Sequence, residues 1–265
     1  MRTLISNDDG VHAPGIHALQ QWFSKKRWHA TIVAPERERS ATGHSLTLHK
    51  PLRIHRYGAR VFSVSGGPAD CIYLGMREVL GKRPDLVLSG INRGANLGQD
   101  VFYSGTVSAA REAAIAGIPA VAVSLVLSGD RKGRAAEHWG TAAWAAEQVL
   151  ERFLAGLAPG KGRAAALRKW PPGVLLNINV PNLPRGRIKG IRSGVQGRQI
   201  YSGEILRRKD ARGRRYYWIG GSYQGFRDIK GSDCWLAHHG YVAVTPLDVD
   251  TTDVKVLGQL QQIFP

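Results

Sequence analysis

The sequence is poor in cysteine and has no long apolar segment, and both absences limit what the protein can be. Cys71 and Cys234 are the only cysteines in 265 residues, too few for a disulfide framework, so a reducing cytoplasm is expected. No apolar run approaches the roughly 18 residues that a membrane span requires. The N-terminus lacks a basic start followed by an apolar stretch, so we expect a cytoplasmic protein without a secretory signal.

Acidic residues are also scarce. The 20 aspartates and glutamates are outnumbered by 37 lysines and arginines, which gives a formal net charge of +17. Such a surface attracts polyanions, for example nucleotides, nucleic acid or polyphosphate. Residues 182–230 carry 13 basic and 3 acidic residues. A preference for arginine in the whole composition also explains this excess, and we interpret the segment as a solvated basic face.

Short apolar segments alternate with helical patterns along most of the chain. Strands are predicted at residues 3–6, 30–34, 45–48, 61–64, 85–88, 120–124, 174–180 and 241–245. Helices are predicted at residues 15–26, 68–80, 106–116, 137–157 and 253–264. A polar turn joins two further segments, 204–208 and 214–219, in a β-hairpin.

This alternation predicts an α/β fold: a Rossmann-like, doubly wound, mostly parallel sheet with a C-terminal β-hairpin arm and a terminal helix. We expect one structural domain with two parts. Residues 1–181 form the α/β catalytic core, and residues 182–265 form the arm, the last strand and the C-terminal helix, which would serve oligomerisation. Ligands of such sheets bind outside the carboxyl ends of the strands.

Two adjacent aspartates, Asp8 and Asp9, follow the first predicted strand and precede Gly10. Adjacent carboxylates repel each other, and in a turn both can converge on one cation. Oxygen ligands without histidine or cysteine at zinc spacing favour Mg²⁺, Mn²⁺ or Ca²⁺. The alternative is that either aspartate simply caps the next helix or an Asx turn.

Two more loops lie at the same predicted edge of the sheet. The loop after residue 34 offers the hydroxyl of Ser40 and the guanidinium groups of Arg37 and Arg39 as phosphate donors, although a solvated charge run is the simpler interpretation of any one charge. The glycine-rich loop after residue 88 offers the amide oxygen of Asn92 to a metal. Next, Ser104 and Thr106 begin a helix, where they either cap it or bind phosphate.

Seven blocks of the sequence, some of them in these loops, resemble the SurE family of stationary-phase survival proteins, which are 5′/3′-nucleotidases. They occur in family order over nearly the whole chain, at residues 6–15, 40–48, 67–71, 89–98, 103–107, 176–181 and 240–247. The resemblance implies one divalent metal ion per subunit, Mg²⁺ or Mn²⁺. The implied residues are Asp8, Asp9, Ser40 and Asn92 for the metal, and Asn96, Ser104, Gly105 and Thr106 for phosphate.

The expected activity is therefore metal-assisted hydrolysis of nucleoside 5′- and 3′-monophosphates, in which water attacks directly and Asp8 or Asp9 also moves a proton. Short-chain exopolyphosphatase activity would use the same site. The alternative from another class is a non-catalytic module that binds nucleotide or RNA through a metal, but no RNA-reading motif is recognisable. The resemblance further implies a homodimer or homotetramer, and no membrane or specific nucleic-acid partner is expected.

Overall fold

The computed structural model describes residues 1–26, 28–127 and 136–264. Its strands are β1 (Arg2–Ser6), β2 (His29–Pro35), β3 (Ile54–Gly58), β4 (Val61–Val64), β5 (Leu86–Arg93), β6 (Ala120–Val126), β7 (Val174–Pro181), β8 (Ile191–Ser193), β9 (Gln199–Tyr201), β10 (Ile205–Lys209), β11 (Arg215–Ile219), β12 (Tyr223–Phe226) and β13 (Val242–Asp248). Its α-helices are α1 (Pro14–Lys25), α2 (Pro68–Leu74), α3 (Gly105–Ile115), α4 (Trp139–Leu157), α5 (Gly162–Leu167), α6 (Asp233–His238) and α7 (Val254–Ile263).

Nine strands form the central sheet, in the order β3-β4-β2-β1-β5-β6-β7-β13-β8. The six strands from β4 to β7 run parallel, whereas β3 and β13 are antiparallel to their neighbours β4 and β7. The predicted α/β fold with a mostly parallel sheet is therefore confirmed. None of the described helices is long and apolar enough to cross a membrane.

Helices cover both faces of the sheet, so the sheet separates two layers of the hydrophobic core. On one face, α1 and α4 bury Ile16, Phe23 and Leu150 against the strands. On the other face, α2 and α3 bury Ile72 and Val107. Because the central strands are covered on both faces, they are nearly continuous apolar runs, which is typical of parallel sheets.

The strand order reverses direction at β1, because the chain adds β2 on one side of β1 and later β5 on the other. Loops that leave the two strands at such a point diverge and open a crevice at the carboxyl edge of the sheet. This topology places the turn after β1 next to the loop after β5.

The strand predicted at residues 45–48 is wrong, and β3, which was not predicted, is the antiparallel neighbour of β4. The alternating Ser-Leu-Thr-Leu pattern resembles a strand, but the side chain of Leu48 is 79% exposed. The segment is fixed by side-chain hydrogen bonds: the backbone N–H and hydroxyl of Thr47 donate to Asp70, at 2.8 and 2.7 Å.

The C-terminal part of the chain contributes to the central sheet and also projects from it. β13 and β8 extend the sheet, and β9 pairs with β12 in a separate two-stranded ribbon. The predicted hairpin is confirmed as β10 and β11, whose residues are all exposed. Helix α7 buries no residue. The functional division after residue 181 stays a prediction.

Candidate active site

The turn after β1 is closed by the side chain of Asn7. Its amide Nδ2 donates to the carbonyl of Gly10 at 3.0 Å, and its Oδ1 accepts from the N–H of Gly10 at 3.2 Å. Gly10 has a φ of +102°, and a Cβ there would lie 3.3 Å or less from the backbone of Arg37. This turn ends the strand and directs Asp8 and Asp9 toward the crevice.

Asp8 lies against the first turn of α3. Its carboxylate accepts a hydrogen bond from the hydroxyl of Thr106, and only 6% of its surface is exposed. A Cβ on Gly105 would stand 2.6 Å from the Cβ of Asp8, so only glycine fits there. Burial raises the pKa of Asp8, and hydrogen bonds from Thr106 and from the backbone of the turn and the helix start oppose that rise.

Asp9 is the more exposed of the two carboxylates. Its Oδ2 accepts the backbone N–H of Arg93 at 3.2 Å. Burial, followed by the negative charges of Asp8 and Glu38, raises its pKa from 3.8 to about 6. The carboxylates of Asp8, Asp9 and Glu38 thus lie close enough for their charges to raise the pKa of Asp9, and such an arrangement favours binding of a cation.

The two other predicted metal ligands present oxygen lone pairs. The hydroxyl of Ser40 donates its hydrogen to Glu38 Oε1 at 2.5 Å, which leaves oxygen lone pairs for another partner. The amide nitrogen of Asn92 donates to the carbonyl of Gly94 at 3.0 Å, so its Oδ1 is the atom left for a ligand. Both orientations suit a hard cation, which prefers oxygen ligands.

A cavity of about 430 Å³ joins these groups at the carboxyl edge of the sheet. Six of the eight predicted site residues line it: Asp8, Asp9, Ser40, Asn92, Asn96 and Ser104. Gly105 and Thr106 lie behind Asp8 and are buried. The described residues include no cluster of three His, Cys, Asp or Glu side chains arranged for a metal, which is expected of a donor set with two carboxylates, one hydroxyl and one amide.

Asn96 is fixed by two asparagines of β7 that the sequence analysis did not select. Asn179 Oδ1 accepts the backbone N–H of Asn96 at 2.9 Å, and Asn177 and Asn179 both donate to its carbonyl. One amide hydrogen of Asn96 bonds Ser124 at 2.8 Å, and the second has no acceptor among the described residues. Alternating asparagines in an otherwise apolar buried strand are the signal that could have revealed this support.

Ser104 is the N-cap of α3, because its Oγ accepts the N–H of Val107 at 3.0 Å. Its own hydroxyl hydrogen is then available to the cavity. Capping is thus observed, and phosphate binding by the same residue stays a prediction. The structure does not bring Arg37 or Arg39 to the cavity wall, and Arg39 instead donates to the carbonyl of Ser65.

Three charged residues that were not predicted as site residues complete the wall: Glu38, Arg93 and Asp100. Arg93 forms an ion pair with Glu137. A larger cavity, of about 710 Å³, lies at the opposite edge of the sheet and contains none of the predicted site residues. We therefore place the candidate active site in the smaller cavity, where the carboxylates converge.

The fold and this cavity define a doubly wound α/β protein with an oxygen-rich centre beside a helix N-terminus that suits an anion. Comparison with known proteins identifies the family. The family model described as "Survival protein SurE" matches residues 3–203. The chain belongs to the SurE family.

Similar proteins span the whole chain. A protein of Geobacter sulfurreducens named 5′-nucleotidase SurE is 47% identical over 262 residues, which cover 98% of this chain and 93% of that protein. A protein of Paramagnetospirillum magneticum with the same name is 45% identical and covers 100% of this chain and 96% of its own length. The crystal structure of the SurE protein from Aquifex aeolicus aligns over 100% of both chains, with 37% identity and a TM-score of 0.81.

Proposed function

We propose that this SurE-family 5′-nucleotidase hydrolyses nucleoside 5′- and 3′-monophosphates to nucleoside and phosphate, with a divalent cation held by Asp8, Asp9, Ser40 and Asn92. One observation carries the proposal. Two adjacent carboxylates with raised pKa values share one cavity with the N-terminus of α3. A site of this kind binds an anion through a cation on one side and hydrogen-bond donors on the other.

In this mechanism, one group of residues would bind the phosphate and another would hold the metal ligands in position. The remaining amide hydrogen of Asn96, the hydroxyl of Ser104 and the start of α3 at Gly105 would bind the phosphoryl oxygens and stabilise the negative charge that develops on them. Thr106 would keep Asp8 in place through its hydrogen bond. A bound Mg²⁺ or Mn²⁺ would neutralise the phosphate and lower the pKa of the attacking water.

Asp9 is the better placed of the two aspartates to accept a proton from water. It is the more exposed of the two, and its carboxylate lines the cavity in which the attacking water would lie. Asp8 is buried and already engaged by Thr106, which suits a fixed ligand.

The decisive experiment measures phosphate release from nucleoside monophosphates with Mg²⁺, with Mn²⁺ and with EDTA. We expect EDTA to abolish the release and either metal to restore it. Asp9→Asn should lower kcat/KM by about a hundredfold or more, because it removes a ligand and a base together. Full activity in EDTA would refute the metal requirement, and full activity of Asp9→Asn would refute the ligand assignment.

A second activity, removal of phosphate from short polyphosphate chains, is supported by the net charge of +17. It would use the same cavity, so Asp9→Asn should lower both activities together and by a similar factor. Binding of nucleotides without any turnover would instead support the alternative of a non-catalytic module.

We also infer that the protein works in the cytoplasm as a homodimer or homotetramer. Both cysteines are free and buried, which suits a reducing compartment. Helix α7 and the β10–β11 hairpin expose large apolar side chains, among them Trp218 and Leu260, and a second copy of the chain is the partner expected to cover them.

A further inference from the structure

Asp100 is a carboxylate of the same cavity that the proposed mechanism does not use. It lies in a 3₁₀ turn, Gly98–Phe102, between Asn96 and Ser104. Its backbone carbonyl accepts the N–H of Ser104 at 3.0 Å. Asp100 thus lines the same cavity as Asn96 and Ser104, two of the residues that would bind phosphate.

The orientation of this carboxylate is fixed from the side of β9. Its Oδ2 accepts hydrogen bonds from the hydroxyl of Tyr201 and from the amide of Gln199. Strand β9 is held in turn by Gln99, which donates to the carbonyl of Gln199 at 2.8 Å and accepts its N–H at 2.9 Å. No residue that the structure describes donates a hydrogen bond to the other oxygen, Oδ1.

The free oxygen of Asp100, Oδ1, would be a poor partner for a further phosphate group of a ligand, because a carboxylate and a phosphate repel each other. Burial and the negative charge of Asp233 raise the pKa of Asp100, whereas the hydrogen bonds from Tyr201 and Gln199 favour the ionised form. An ionised carboxylate accepts hydrogen bonds and donates none. The complementary ligand group is thus an uncharged donor located next to a phosphate.

We propose that Asp100 selects nucleotides by accepting a hydrogen bond from a sugar hydroxyl of the substrate through Oδ1. This inference rests on the proposed nucleotidase function, and it identifies the sugar as the part of the nucleotide that Asp100 recognises. Carboxylates recognise ribose hydroxyls in other doubly wound folds through the same pairing of donor and acceptor. Polyphosphate offers no such donor and would be a poorer substrate than a ribonucleotide.

The test compares kcat/KM for adenosine 5′-monophosphate, its 2′-deoxy and 2′,3′-dideoxy analogues, and p-nitrophenyl phosphate. For the unmodified protein we expect loss of the hydroxyls to lower kcat/KM by about tenfold or more, because the analogue leaves a partly buried charge without its partner. Equal rates for the adenosine nucleotide and the dideoxy analogue would overturn the inference and leave the nucleotidase proposal intact. Hydrolysis of p-nitrophenyl phosphate without hydrolysis of any nucleotide would overturn the nucleotidase proposal itself.

The variant Asp100→Asn tests directly whether the carboxylate of Asp100 recognises the sugar hydroxyl. Tyr201 and Gln199 would engage the amide oxygen, so the amide NH₂ would face the cavity in place of an acceptor. We expect the preference for the hydroxyl-bearing nucleotide over its dideoxy analogue to fall about tenfold, with a smaller loss on p-nitrophenyl phosphate than on the nucleotide. Asp228→Asn, an exposed site with the same change of charge, should behave like the unmodified protein.

Two results for Asp100→Asn would overturn the proposal. One is an unchanged ratio between the adenosine nucleotide and its dideoxy analogue, which would indicate a role in proton transfer or in folding. The other is an equal loss on every substrate including p-nitrophenyl phosphate. Tyr201→Phe, which removes one of the two donors to Oδ2 and keeps the carboxylate, should reduce the ratio by less than Asp100→Asn does.

Discussion

Gly105 shows how a single residue type allows the carboxylate of Asp8 to lie against the start of α3. A Cβ on this residue would lie 2.6 Å from the Cβ of Asp8 and 2.9 Å from its Oδ2. Since real side chains do not approach so closely, any larger residue would displace Asp8. The sequence reveals a glycine at a helix start, but only the contact with Asp8 explains it.

We therefore expect Gly105→Ala to lower kcat/KM for a nucleoside monophosphate by about tenfold or more, because a ligand displaced by a fraction of an ångström no longer fits the reacting geometry. The affinity for Mg²⁺, measured by titration calorimetry, should fall as well. Gly140→Ala is the control: a Cβ at this position in α4 meets nothing within 4 Å. Normal activity and Mg²⁺ affinity in Gly105→Ala would show that Asp8 tolerates the displacement.

The raised pKa of Asp9 predicts how the metal-free protein responds to pH. Its folded-state pKa of about 6 lies above the ordinary value of 3.8. Between these values the folded protein holds a proton that the unfolded chain has released, so the free energy of unfolding decreases as the pH rises through this window. Asp9→Asn removes this titration.

In EDTA, Asp9→Asn should melt at a higher temperature than the unmodified protein above about pH 6, and the difference should vanish below about pH 4. Thermal unfolding from pH 4 to pH 8 measures this. Addition of Mg²⁺ at pH 8 should stabilise the unmodified protein more than the variant. A variant less stable than the unmodified protein at pH 8 in EDTA would contradict the destabilisation that burial, and then the charge of Asp8, imposes on the ionised Asp9.

At the scale of elements, residues 40–48 form a loop that two helices hold in place. Asp70 of α2 accepts hydrogen bonds from Thr47, and Glu112 of α3 contacts His44 Nε2 at 2.9 Å. The same loop carries Ser40. Its position thus depends on side chains from two distant elements, and for this reason a local strand pattern predicted it incorrectly.

Asp70→Asn should loosen this loop. The carboxylate also accepts the N–H of Gly67 at 2.8 Å at the start of α2, so we expect the free energy of unfolding to fall by about 1–3 kcal/mol. The Mg²⁺ affinity should fall too, because Ser40 is no longer held. Urea unfolding and calorimetry give the two values. Thr47→Val, which removes only the hydroxyl's bond, should show a smaller change, and an unchanged Mg²⁺ affinity in Asp70→Asn would refute the link.

At the scale of the whole molecule, α7 presents an apolar stripe that the described part of the chain leaves exposed. Val256, Leu257 and Leu260 repeat at helical spacing, and all three are more than a third exposed. A helix with this pattern is stable when the stripe packs against another surface. The proposed oligomer would supply that surface.

Leu260→Glu should therefore produce a smaller assembly in light scattering, because it introduces a charge into the apolar stripe. Gln261→Glu adds the same charge at the next position of the helix and should leave the assembly unchanged. Circular dichroism checks that both variants are folded. A monomer for the unmodified protein would exclude the oligomer outright.

The sequence alone indicated the alternation of strands and helices, because apolar periodicity depends on local spacing. It also selected the oxygen-bearing residues of three separate loops. The strand order decided that the loops after β1 and β5 meet, since the sheet reverses direction at β1. Contacts between residues far apart in the sequence decided how the carboxylates of the site are held. The hydrogen bond from Thr106 to Asp8 and those from Tyr201 and Gln199 to Asp100 join residues about one hundred positions apart, and no local pattern encodes such pairs.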